Sequence, residues 1–378
     1  MYFSQKAHTV PVLFGCLLVV SSLHSVTVGV WQDANRNNSH PTMQDAYVAI
    51  ECPDGRHLWG VYDGHGYHNL PTRDGGTIDT GKYCANLVAD DMAFCVPRFG
   101  WDAARIAQRY VELDDQLATV PHQAGVQGGT TATTVLFDGV DMIDIIHAGD
   151  CRVLLGEREV THQITTDHNL QVADEVARII HAHGWTGPLP KKSSLSHLRM
   201  IAQINGWTTS ARLLCDGTPD LNVTRTIGDR RHENSAVATP VPDIIKLRLE
   251  PHDTFLVVVS DGVTEVLSNN KIAYIVRNVL AADTIPSSVK NRAQVAAKTI
   301  VGVARCGLPD EGIVRSHDNL TALVVLLNNE AVKPRSGSCG TASSVSTGAT
   351  TPAATDSSPD RSPVAMVRVV GDGFAATE

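Results

Sequence analysis

Apolar, β-branched runs in this chain stop again and again at an aspartate. Val61-Tyr62-Asp63-Gly64-His65-Gly66 closes one run, and Val258-Val259-Ser260-Asp261-Gly262 closes another. Asp318-Asn319 stands just before Leu320–Leu327, and Asp45 just before Ala46–Ile50. Gly149-Asp150 lies between two strand-like runs, where a hairpin turn is expected. Alone, an Asp-Gly after a strand is a turn signal and nothing more. The set of Asp45, Asp63, Asp150, Asp261 and Asp318 constrains the fold more tightly. Strand ends converge on one edge of a sheet, and carboxylates meeting there repel unless a cation neutralises them. Oxygen ligands in this number favour Mg²⁺ or Mn²⁺ over zinc. Two such ions can share one water, lower its pKa and clamp an in-line phosphoryl displacement.

The remaining runs outline the domain that would carry this edge. Thr131–Phe137, Asp141–His147 and Arg152–Gly156 read as successive strands, as do Ile244–Leu249 and Thr254–Val259. Val172–His183, Ile272–Leu280 and Val289–Ala304 have helical spacing. Strands outnumber helices and tight turns join several of them, so antiparallel sheets with covering helices fit better than a βαβ alternation. The 378 residues, 43% of them hydrophobic, suffice for one large domain. We place it at 26–329, after a leader at 1–25 and before a tail at 330–378. The tail is rich in Ser, Thr, Gly and Pro and has too little apolar surface to offset its ordering entropy, so disorder is expected there. Within it, Val364–Val370 is a short apolar piece suited to docking.

The net charge of −9 repels phosphate backbones and argues against nucleic-acid binding. None of the eight cysteines forms a CxxC, which argues against a zinc ribbon or a thioredoxin-like site. Val10–Val20 is too short to span a bilayer comfortably but resembles the apolar part of a signal peptide. Against export stands the sequon Asn319-Leu320-Thr321, which lies inside the acidic set, where a glycan would be awkward. A cytoplasmic location is the expectation, with secretion through the signal-like segment as its rival.

The ordered motifs resemble the metal-dependent serine/threonine protein phosphatases of type 2C. The matching segments are Met43-Gln44-Asp45-Ala46, Tyr62-Asp63-Gly64-His65-Gly66, Gly128-Gly129-Thr130-Thr131-Ala132, His147-Ala148-Gly149-Asp150-Cys151-Arg152, Thr166-Asp167-His168, Thr224-Arg225-Thr226-Ile227-Gly228-Asp229, Ser260-Asp261-Gly262 and His317-Asp318-Asn319-Leu320-Thr321. Each is weak alone, and the ordered set is specific. The resemblance implies an α+β fold, a four-layer α-β-β-α sandwich of two antiparallel sheets flanked by helices. It also implies a monomer acting on phosphoprotein substrates with two Mn²⁺ or Mg²⁺ ions per chain. Asp63 would bridge the ions, the Gly64 carbonyl would bind one, and Asp261 and Asp318 would complete the other. Asp45 would reach an ion through water. Asp150 would serve a third, weaker position, where Glu265 replaces the family's aspartate. His65 would be the general acid, and Thr130, Arg225 and Asp229 read as scaffold.

The other departures from the family pattern concern the substrate side. The family's phosphate-gripping Arg falls at His40, which leaves Arg36 in the irregular stretch before it as the replacement. Tyr67–Gly76 reads as a loop where relatives run into a helix. The extra material between Trp185 and Cys215 corresponds to the flap beside the family's cleft and is the candidate for substrate choice. A catalytically weak relative acting as a binding or scaffold module is the alternative, and a secreted effector that engages a host partner is a third reading.

Overall fold

Alternation along the apolar runs decides which layer each side chain joins. The structure, a computed structural model, describes residues 26–35, 42–66, 69–71, 76–100, 102–118, 128–182, 221–229, 238–284, 289–327 and 365–368. The leader at 1–25, Arg36, His40, most of the tail and the Trp185–Cys215 stretch lie outside the described residues.

One sheet has the order β1 (Thr27–Asp33), β14 (Leu320–Leu326), β13 (Phe255–Val259), β10 (Arg152–Gly156) and β11 (Thr161–Gln163). The other runs β15 (Ala365–Arg368), β12 (Asp243–Arg248), β9 (Met142–Ala148), β8 (Ala132–Phe137), β3 (His57–Tyr62) and β2 (Ala46–Glu51). All these pairings are antiparallel.

Alternate positions of the strands sort into three apolar layers, one between the sheets and one under each pair of helices. Trp59, Val61, Ile145, Val153, Leu256, Val258, Leu323 and Val325 meet between the sheets. Leu58, Leu136, Ile146 and Ile244 face outward, under α1 (Thr80–Phe99) and α2 (Ala103–Ala118). Val257, Val259, Ala322 and Val324 face the other way, under α5 (Asn269–Ala281) and α6 (Val289–Cys306). Each Val, Leu or Ile so enclosed contributes about 1.5–3 kcal/mol of burial. A short helix α3 (Ala173–Ala182) and a single turn α4 (Asp261–Thr264) complete the helices used below. This is the four-layer α-β-β-α sandwich that the resemblance implies. Among the described residues, no helix is long and apolar enough to cross a membrane.

Two local expectations are corrected. Gly149-Asp150 is no hairpin turn, because β9 and β10 belong to different sheets. Gly149, at φ 121°, turns the chain, and Cys151 is already buried between the sheets, so the segment crosses the sandwich at its edge. Tyr67–Gly76 is not simply a loop. Within it Asn69–Pro71 (β5) pairs with Thr77–Asp79 (β6), and Asp79 then caps α1 by accepting from Lys82 N at 3.2 Å. In the tail, Ala365–Arg368 pairs with β12 and forms the edge of the sheet.

A buried ionic network ties α3 and the Thr224–Asp229 segment to β12. Arg225 donates to Glu175 Oε1 at 2.6 Å and to Asp243 Oδ1 at 2.8 Å. Thr224 Oγ1 donates to Glu175 Oε2 at 2.7 Å. Burial alone would raise the pKa of Glu175, but the hydrogen bonds and charge of Arg225, with Arg178, outweigh it and hold the carboxyl at about 2. Its stabilising contribution is therefore complete above the ordinary value of 4.5 and lost as pH falls towards 2. Glu175→Gln leaves Arg225 short of a buried partner and should cost about 3–5 kcal/mol in urea unfolding at pH 7. The variant's stability should also fall less between pH 4.5 and pH 2 than that of the wild type.

Candidate active site

The strand registers bring the acidic residues together from distant parts of the chain. Ala46 pairs with Tyr62, so Asp45 and Asp63 flank one end of the β2–β3 pair. Val259 pairs with Ala322, which places Asp261 and Asp318 at the same end of β13 and β14. Arg152 pairs with Val259, and Asp150 therefore joins them from the crossover segment. Gly262 permits the close approach of the last two strand ends: a Cβ there would sit 2.1 Å from the Asn319 carbonyl oxygen.

Backbone and side-chain hydrogen bonds hold these positions. The Asp63 carbonyl accepts from Thr131 N at 2.8 Å and from Thr130 Oγ1 at 3.0 Å. Asn319 accepts from Gln44 N at 2.7 Å and donates to the Ala34 carbonyl at 2.8 Å, bridging both sides of the edge. Thr321 Oγ1 donates to Asp45 Oδ2 at 2.6 Å. Asp45 Oδ1 is buried and, among the described residues, has no hydrogen-bond partner of ordinary geometry, although Ser260 and Asp63 lie near enough to bias its titration.

The electrostatics are those of carboxylates in need of a counter-charge. Burial pushes Asp45 up to about 6, and Asp318 adds to the rise. Burial is also the largest influence on Asp63, followed by the charges of Asp45, Asp261 and Asp318, and each of these disfavours its anion. Asp261 is raised first by burial and then by Asp150 and Asp318. Asp150 is pushed up to about 7 by burial and by Asp167, whereas His65 opposes the shift. Glu265, exposed one turn beyond Asp261, raises both Asp150 and Asp261. An all-oxygen donor set with an orphaned buried oxygen fits a hard divalent cation.

His65 stands beside this cluster on β4 (Gly64–His65), which pairs with β7 (Gly129–Thr130). Its Nε2 meets Asp229 Oδ2 at 2.5 Å. Asp229 thus touches the candidate general acid, a contact that its reading as scaffold missed. The Thr224–Asp229 motif was the available signal. Arg225 is a brace, bound to Glu175 and Asp243 as described. Arg36 lies outside the described residues.

A second donor group lies at the far ends of β10 and β13. Glu157, His252 and Asp253 have ligand atoms within 4.8 Å of one another. It is more compact than the aspartate cluster but less in need of an ion, because Glu157 already meets His162 at 3.0 Å and His252 at 3.5 Å. The aspartate edge, with its mutual repulsion, is the better metal candidate. Gly262→Ala should therefore push the Asp318 loop off its position and weaken Mn²⁺ binding about 10–100-fold in calorimetric titration, with the fold retained.

Residues 33–305 match the family described as Protein phosphatase 2C. Probable protein phosphatase 2C 27 of Oryza sativa subsp. japonica is 26% identical over 305 residues, 79% of this chain and 70% of that protein. Probable protein phosphatase 2C 64 of the same plant is 30% identical over 227 residues, 58% of this chain and 49% of that protein. Among solved structures, the S. agalactiae serine/threonine phosphatase aligns with a TM-score of 0.50 at 21% identity, over 80% of this chain and 99% of that one. A C. elegans sex determining protein aligns with a TM-score of 0.54 at 17% identity, over 81% of this chain and 66% of that one. These structural likenesses speak for a shared fold, and the family match spans most of the chain. The chain belongs to the protein phosphatase 2C family and is a protein serine/threonine phosphatase.

Proposed function

We propose that the protein hydrolyses phosphoserine and phosphothreonine in proteins with the help of two Mn²⁺ or Mg²⁺ ions held at the aspartate edge. The observation that carries this reading is the convergence of Asp45, Asp63, Asp261 and Asp318 on one edge, where burial and the three neighbouring carboxylates all oppose the charged form of Asp63. A pair of hard cations held there would offset the lost hydration and the mutual repulsion. Asp63, the Gly64 carbonyl, Asp261 and Asp318 would hold them, with Asp45 supporting through water. Asp150 and Glu265 would serve a third position. Bound there, the ions would supply a water acidic enough to act as nucleophile and would neutralise charge on the phosphoryl group.

The chain's own residues supply the rest. His65 is partly open to solvent at the edge of the cluster and would protonate the leaving serine or threonine oxygen. Thr130 and Thr131 hold the Asp63 backbone, so its carboxylate is aimed before any ligand arrives. Arg36 would grip the phosphate and the Trp185–Cys215 stretch would influence substrate choice. We also propose a cytoplasmic location. In its favour, Asn319 of the sequon is buried and bonded through its amide to the Ala34 carbonyl.

Asp63→Asn should lower kcat on p-nitrophenyl phosphate with Mn²⁺ by at least about 100-fold, roughly 3 kcal/mol. The same change should stabilise the metal-free protein, because it removes one of the mutually repelling buried charges, and it should reduce the rise in Tm on adding Mn²⁺. A variant that kept full turnover would overturn the role of Asp63, whereas a wild type with bound metal and no turnover would favour the scaffold reading.

The pH dependence of the metal-free protein has a definite sign. Asp45 and Asp150 titrate at about 6 and about 7 when folded, against 3.8 ordinarily. These two groups therefore destabilise the fold above pH 7, and metal-free protein should gain stability from them as pH falls from 7 towards 4. Saturating Mn²⁺ should flatten that gain in urea unfolding, since it favours the ionised carboxylates.

A further inference from the structure

We propose that Asp229 is the positioning residue for the general acid, holding His65 by Nε2 so that the proton leaves from Nδ1. Gly129 is glycine, on this account, because the pair fills the space above it. The role assigned here rests on the reading of His65 as general acid.

Three short segments lie side by side at this point. β4 pairs with β7 through Gly64 with Thr130 and His65 with Gly129. On its other side, β7 meets the Thr224–Asp229 segment: Thr130 N donates to the Ile227 carbonyl and Ile227 N to the Thr130 carbonyl, both at 2.9 Å. His65 and Asp229 therefore come from the two flanking segments and reach towards each other across β7. They meet directly over Gly129. A Cβ at Gly129 would lie 2.3 Å from Asp229 Oδ2 and 2.9 Å from His65 Nε2. Any side chain at Gly129 would have to part the two groups.

The partners differ in freedom. The Asp229 side chain is 7% exposed and that of His65 is 30% exposed. Thr226 Oγ1 donates to the same Asp229 oxygen at 2.8 Å, and Gly228 N is anchored to Asp114 Oδ1 on α2 at 2.8 Å. Asp229 is thus the fixed member and His65 the member it orients. This is the arrangement in which a carboxylate sets the tautomer and direction of an imidazole.

The proton transfer balances simply. In the protonated ring both nitrogens carry hydrogen, and Nε2–H stays bonded to Asp229. As the phosphorus–oxygen bond to the leaving group breaks, the Nδ1–H bond breaks and the hydrogen passes to that oxygen. Neutral imidazole remains as the Nε2–H tautomer, still held by Asp229. The carboxylate takes no proton. It acts only through His65.

Two substrates separate this role from a merely structural one: a phosphoserine peptide, whose poor leaving group needs the proton, and p-nitrophenyl phosphate, whose good one does not. In the full chain with Mn²⁺, Asp229→Asn should lower kcat on the peptide about 10–100-fold and affect p-nitrophenyl phosphate much less. The loss should vanish in a His65→Ala background. Gly129→Ala, which removes no functional group, should give the same substrate-dependent loss. A readout independent of turnover comes from protein labelled with ¹⁵N-histidine and free of metal. A low-field imidazole N–H resonance, assigned by its absence in His65→Ala, should disappear in Asp229→Ala and in Gly129→Ala. Equal losses on both substrates, additive losses with His65→Ala, or a resonance unchanged in well-folded Asp229→Ala would overturn the positioning role alone. A wild type inert on both substrates would sink the phosphatase reading, and this role with it.

Discussion

Repulsion among buried carboxylates is the interaction on which the rest of this structure turns. Asp45, Asp63 and Asp261 sit where loss of hydration and mutual charge both disfavour the anion. A chain folded only for stability would replace such groups or pair them with cationic side chains. It does that elsewhere: Glu175 and Asp243 are buried too, yet Arg225 holds Glu175, and His168 together with Arg225 holds Asp243, well below the ordinary carboxylate range. The contrast between the two acidic groups, one neutralised by the protein and one left for an ion, marks the second as the functional site.

The sandwich makes that site possible because both sheets end at the same edge. Asp45 and Asp63 come from the β2–β3 pair of one sheet, Asp261 and Asp318 from the β13–β14 pair of the other. The Gly149–Cys151 crossover joins the sheets at this edge and delivers Asp150. Rigid strands on both sides fix the carboxylates before any ligand arrives, and the apolar layer between the sheets resists their spreading apart. The neighbouring strip of β4, β7 and the Thr224–Asp229 segment adds the proton donor.

Much of this was legible in the sequence, for a physical reason. An aspartate that ends a β-branched run is visible without knowing the partner strand, so antiparallel sheets with an acidic edge follow from such runs, while the two-sheet sandwich came from the family resemblance. What depends on pairing was not visible. Gly149-Asp150 looks like a turn in either case, and only the assignment of β9 and β10 to different sheets shows it to be a crossover. Asp229 could be placed in a motif, but its contact with His65 joins residues far apart in the chain. The helix Thr80–Phe99 escaped notice because its buried stripe, Cys84, Ala85, Val88, Ala89, Met92 and Val96, is made largely of small residues and ends near Pro97. The compact Glu157, His252 and Asp253 group also escaped, since its members lie in separate turns.

The most direct measurement is the anomalous scattering of crystals grown or soaked with Mn²⁺, which locates the ions without reference to activity. Two peaks among Asp63, Asp261 and Asp318 are expected, with Asp45 nearby. Peaks confined to the Glu157, His252 and Asp253 group, or none at the aspartate edge under saturating Mn²⁺, would contradict the account at its root.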